Sequence, residues 1–134
     1  MKKGFYWSVV GLILLSSCHP SIEVSTAYNV AGIYQLTGYT TSTTGDDNPD
    51  GTMNATLIDE QHINLIVKGT SGKVKINYSY ANVLVVRANQ TTVGQDTYNL
   101  LYKGRQIGIA GNDAISRYVE LYPSATITIK GVEF

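Results

Sequence analysis

Residues Lys73-Val74-Lys75-Ile76-Asn77-Tyr78-Ser79-Tyr80 alternate polar and apolar without a break. Side chains of a strand point to opposite faces in turn, so a segment with this period buries one face and wets the other. The same pattern returns at Ile63, Leu65 and Val67, at Tyr98, Leu100 and Tyr102, at Ile107 and Ile109, and at Ile127 and Ile129. No segment carries a convincing helical repeat. Nine strands are expected, near residues 31–41, 51–58, 61–68, 73–80, 83–90, 96–102, 105–110, 114–122 and 125–133. Turn formers separate them: Asp59-Glu60, Gly69-Thr70-Ser71-Gly72, Ala81-Asn82, Thr92-Val93-Gly94-Gln95, Lys103-Gly104, Gly111-Asn112-Asp113 and Pro123-Ser124. Connections this short make successive strands antiparallel neighbours, and a long meander closes on itself to remove its edges. The expected fold is all-β, a small antiparallel meander closing into a β-barrel. A two-sheet sandwich is the second choice, because turn spacing fits both.

The first eighteen residues follow a different rule. Lys2 and Lys3 precede an apolar run from Phe5 to Leu15, and Leu15-Ser16-Ser17-Cys18 ends it with two small residues and the chain's single cysteine. A basic start, a short apolar stretch and small residues before a cleavage point are the parts of an export signal. The run is too short for a stable span, which needs about 20 apolar residues. These residues resemble the signal peptide and lipobox of bacterial lipoproteins. The resemblance implies cleavage between Ser17 and Cys18, a thioether-linked diacylglycerol on Cys18 and an acyl chain such as palmitate on its new amino group. One chain holds a protein to a membrane only marginally, whereas two or more hold it stably. No other cofactor is expected. The segments are then a signal peptide at 1–17, a lipidated tether at 18–30 and one β-domain at 31–134.

Removing seventeen residues from 134 leaves 117, enough for one domain with a core of its own. Lys2, Lys3 and the lone tryptophan, Trp7, leave with the signal, so eight basic residues face ten acidic ones. That balance does not fit a nucleic-acid partner or electrostatic attachment to a membrane. With Cys18 committed to lipid, no disulfide forms within the chain, and stability must come from packing and the β-ladder.

Gly32-Ile33-Tyr34-Gln35-Leu36-Thr37-Gly38-Tyr39 opens the domain with a glycine and then an aromatic two residues on. This resembles the first strand of small bacterial lipocalin-like lipoproteins. The resemblance extends loosely from Gly32 to Phe134 and implies a meander barrel. Tyr34 stands where lipocalins proper carry tryptophan, and a barrel this small is often filled by its own side chains.

Few residues combine into chemistry. Asp46-Asp47-Asn48-Pro49-Asp50-Gly51 matches the opening of a calcium loop, but Leu57 stands where the bidentate glutamate belongs, and the stretch reads as a polar hairpin loop. Gly69-Thr70-Ser71-Gly72-Lys73 suggests a phosphate loop, yet Val67 and Val74 replace its first glycine and its hydroxyl residue, so it reads as a turn. His62 has Asp59 and Glu60 nearby in sequence, but one histidine makes neither a metal site nor a triad. Neither catalysis nor a metal is expected.

Arg117 shares a strand face with Ile115, Val119 and Leu121. If that face lines a barrel, its guanidinium can meet a ligand carboxylate, with Tyr34 or Tyr78 assisting. Fatty-acid-binding barrels, which this pattern resembles distantly, use such an arginine. The ordinary reading puts Arg117 at the rim, reaching water or pairing with an acid. Arg87 carries the same ambiguity. The strand tyrosines, Tyr78, Tyr80, Tyr98, Tyr102, Tyr118 and Tyr122, suit a half-buried pleated surface. A transmembrane barrel is disfavoured, because the strands lack a clean apolar band.

The sequence therefore predicts a lipid-anchored cell-envelope lipoprotein with a non-catalytic small-ligand-binding or structural barrel. The alternative is a protein-docking or enzyme-inhibitor module acting through its loops, especially 42–51. Its partners would be the membrane and either a small apolar ligand or an envelope protein. His19, not aspartate, follows the cysteine, which by resemblance to enteric lipoproteins implies the outer membrane, facing the periplasm.

Overall fold

The computed structural model describes residues 25–88, 96–112 and 115–133. The signal peptide, Ser17, Cys18, the turn at Thr92–Gln95, Asp113 and Phe134 lie outside the described residues. A single 3₁₀ turn, Ala27–Asn29, precedes nine strands: β1 (Gly32–Thr40), β2 (Gly45–Asp46), β3 (Asp50–Leu57), β4 (His62–Ser71), β5 (Val74–Arg87), β6 (Thr97–Tyr102), β7 (Arg105–Asn112), β8 (Arg117–Ser124) and β9 (Ile127–Glu133). Every pairing is antiparallel. The sheet runs in chain order apart from the two-residue β2, and β9 returns to pair with β1 over Tyr34–Thr40. β2 and β3 follow one another along the other edge of β1, so the ring is a closed eight-stranded barrel. The meander closes, as expected, into a barrel and not a sandwich.

Several connections differ from the sequence reading, among them Gly111-Asn112 and Pro123-Ser124, expected as turns but lying within β7 and β8. Ala81-Asn82 is not a turn. Residues 73–80 and 83–90, expected as two strands, are one strand, β5, through Arg87. Ile63 pairs with Val83 and Leu65 with Tyr80, so one residue of β4, Asn64, faces two of β5, Ala81 and Asn82. The extra residue is a bulge with Asn82 in the left-handed region at φ 63° and its N–H donating to Asn64 Oδ1 at 3.0 Å. Asparagine tolerates that conformation in bulges and hairpins alike, and a bulge bends a long strand around a barrel. Likewise, Asp46–Gly51 is not a hairpin loop. The reversal occurs at residues 41–44, where Thr41 N–H donates to Thr44 O at 2.8 Å, and residues 47–49 merely interrupt the strand formed by β2 and β3. β4 also runs on through Ser71, leaving the two-residue turn Gly72-Lys73.

The interior is filled by the alternating apolar residues. Leu65, Val67, Leu100, Val119, Leu121 and Ile129 each have 0 % of their surface accessible. None of the six exposes surface to water, and together they fill the barrel centre. Each Leu, Ile or Val so buried contributes about 1.5–3 kcal/mol over an exposed one. The β3–β4 pairing contains a very tight approach. Gly51 pairs with Gly69, and a Cβ on Gly69 would lie 2.1 Å from Asp50 O. Only glycine fits such a corner.

Candidate functional site

The two ends of the barrel differ. At one end the strands β1, β4, β6 and β8 begin and β3, β5, β7 and β9 finish, and here residues 25–31 fold across the opening. Ala27 and Val30 are fully buried. Thr26 Oγ1 donates to Val85 O at 2.8 Å, and Ala27 N–H donates to Glu60 O at 3.0 Å. Residues 25–30, read from sequence as tether, are thus a plug belonging to the domain.

Arg117 holds this plug. Its strand face does point inward, with Val119 and Leu121, and it lies one step beyond the Tyr118–Val132 pair. Nε donates to Glu133 Oε1 at 2.8 Å, and Nη2 bonds Glu133 Oε2. Nη1 donates to Asn29 O at 2.8 Å, and Nη2 also to Ala31 O at 3.0 Å. The guanidinium lies 5.9 Å from the centre of the Tyr34 ring, and Tyr34 Oη donates to Val30 O at 2.6 Å. The hydrogen bonds from Arg117 hold the Glu133 carboxyl below the usual glutamate range and raise the guanidinium further. Burial pushes the Tyr34 phenol up to about 12, against the nearby positive charge of Arg117. Gly32 leaves room for the cluster, because a Cβ there would lie 2.8 Å from Arg117 Nη2. The structure therefore brings Arg117 and Tyr34 together, but their polar groups face Glu133 and the backbone of residues 29–31. Arg117 occupies the rim and pairs with an acid, as its ordinary reading had it. Arg87 does the same with Asp96, at 2.8 Å.

Tyr78 belongs to the other end. There Tyr80 meets Tyr102 edge to face, 5.1 Å between ring centres at 73°. Burial, then Tyr39, raise the Tyr78 phenol, and burial, then Tyr78, raise that of Tyr80. Both stay neutral near pH 7. Beside them is an open concavity of about 580 Å³ that Tyr39, Thr41, Thr43, Thr44, Asp46 and Ser71 help to line. Asp46 is occupied by the fold itself. Ser71 Oγ donates to its Oδ2 at 2.6 Å and Asn48 N–H to its Oδ1 at 2.9 Å, which hold the carboxyl below its ordinary value. Among the described residues, no three His, Cys, Asp or Glu converge as metal ligands. His62 Nδ1 sits 2.8 Å from Asp59 Oδ1 at the plugged end.

Sequence reasoning missed Glu133 and Thr26, and it singled out Gly32 for a resemblance without its place beside Arg117. Its place late in the closing strand put Glu133 near the start of β8 without fixing it as the partner of Arg117. Comparison with family models, with curated proteins and with solved structures gives no match for this chain.

Proposed function

We propose that this chain is a lipid-anchored envelope protein whose barrel is a non-catalytic module that works from its outside. The lipobox residues Leu15-Ser16-Ser17-Cys18 support the anchor. One observation carries the rest: the barrel centre is packed with its own side chains, and the inward arginine is engaged by Glu133 and the plug. A carrier of apolar molecules needs an interior of several hundred Å³, lined by apolar groups with a few polar ones free to orient the guest. Here the interior side chains take that space. The open mouth, lined by Tyr39, Thr41, Thr43 and Thr44, is the surface offered to a partner in the envelope. This favours the docking or structural reading over small-ligand carriage. Lipid extraction from the purified Cys18→Ala domain, followed by mass spectrometry, tests it. The expected result is no lipid at molar stoichiometry. One apolar molecule per barrel contradicts the filled-interior reading.

A further inference from the structure

We infer that the plugged end of the barrel is a membrane-contacting surface, with Tyr28, Ile58 and Ile115 seated in the interfacial layer of the bilayer that carries the anchor. The inference rests on the lipid-anchor reading and adds an orientation and a contact surface to it. The first observation is where apolar side chains are exposed. Tyr28 is 57 % exposed on the plug, Ile58 45 % on the β3–β4 connection and Ile115 92 % just before β8. All three lie at the same end. Tyr28, Leu57 and Ile58 line one open concavity of about 490 Å³, with Asp59, Glu60, Gln61 and His62 along its polar side. A tyrosine beside aliphatic side chains suits the headgroup boundary, where its ring is sheltered and its hydroxyl stays wet.

The second observation is the reach of the tether. Six residues separate Cys18 from Ser25. Even fully extended, seven steps of roughly 3.5 Å carry the anchor no more than about 25 Å from Ser25. The nine-residue β1 spans eight rises, about 26 Å at roughly 3.3 Å each, so the anchor reaches the opposite end only if the tether lies fully extended along the barrel wall. Residues 25–31 are held at the plugged end by Thr26, Ala27 and Arg117, so the acyl chains enter the membrane near that end. The opposite mouth with its tyrosines then faces away from the bilayer.

Charge identifies the kind of contact. Asp59 pairs with His62, Asp96 with Arg87 and Glu133 with Arg117, and Glu60 adds a negative charge. Among the described residues this rim has no basic excess to gather anionic headgroups. The contact is apolar insertion beside the acyl anchor, whatever the headgroup.

Trp7 leaves with the signal, so the lipidated mature chain has no tryptophan of its own and an introduced one reports a single site. The test uses full-length protein carrying Tyr28→Trp, Ile58→Trp or, at the opposite end, Val74→Trp. Each is purified from membranes and reconstituted into brominated or ordinary phosphatidylcholine vesicles. Bromine in the acyl chains should cut emission about two-fold for Tyr28→Trp and Ile58→Trp and leave Val74→Trp unchanged, as expected for side chains at the acyl boundary. Vesicle-bound protein with equal quenching at all three sites, or with none at 28 and 58, overturns the orientation while leaving the anchor intact. Protein that retains Trp7 and fails to float with vesicles overturns the anchor and, with it, this inference.

Discussion

Arg117 shows how a residue suited to a ligand becomes a structural one. Alternation with Val119 and Leu121 made its inward direction legible. Its partner was not legible. Counting back from the Ser124–Ile127 pair sets Arg117 opposite Phe134, and the irregularity between Leu121 and Ser124 shifts it to Glu133. A one-residue slip cannot be read from alternation, which survives it locally. Arg117→Leu removes four hydrogen bonds and leaves Glu133 facing the plug with no counter-charge from this residue. It should cost about 2–3 kcal/mol of stability, the range for a half-buried charged group losing its partner, measured by urea unfolding. Glu133 also makes an acid-dependent contribution. Its folded pKa lies below the ordinary 4.5 because Arg117 stabilises the ionised form. On acidification the unfolded chain protonates first, so the contribution is full above about pH 4.5 and is lost as pH falls through the depressed folded value. Glu133→Gln should therefore lose less stability than the parent between pH 5 and about pH 3, as read from urea midpoints across that range. Parallel pH curves would contradict this role.

At the scale of elements, the strands were legible and their interruptions were not. The inner face of β5 passes from Ile76, Tyr78 and Tyr80 to Val83 and Val85, and that change of parity marks the bulge at Asn82. In sequence it is indistinguishable from a turn between two strands, because both place an asparagine where the alternation breaks. β1 has the same shift between Leu36 and Tyr39, at its irregularity near Gly38. The plug was read as tether because a single 3₁₀ turn has no periodicity to detect, and its burial depends on Val85, Glu60 and Arg117 from distant parts of the chain. The corner at Gly51 and Gly69 is a comparable long-range feature. Gly69→Ala places a methyl 2.1 Å from Asp50 O, where backbone must move. It should destabilise the barrel by about 2 kcal/mol or more, as overpacking against a rigid neighbour does. A thermal melt within a degree of the parent would show that the corner relaxes freely.

For the whole molecule, short turns between alternating segments implied a meander, and closure through β1 and β9 followed from the cost of leaving edges unpaired. How fully the interior is packed depended on side chains that the sequence names but does not place. A filled barrel with one end plugged is what leads us to propose that function lies at the rims and at the lipid attachment. Both the proposed orientation and the proposed outward-facing mouth depend on the anchor at Cys18. Metabolic labelling with radioactive palmitate, followed by membrane fractionation, tests that anchor most directly. The parent protein should carry label and sediment with membranes, and Cys18→Ala should lose both. Label that persists in Cys18→Ala, or a parent protein that takes up none, would contradict the account.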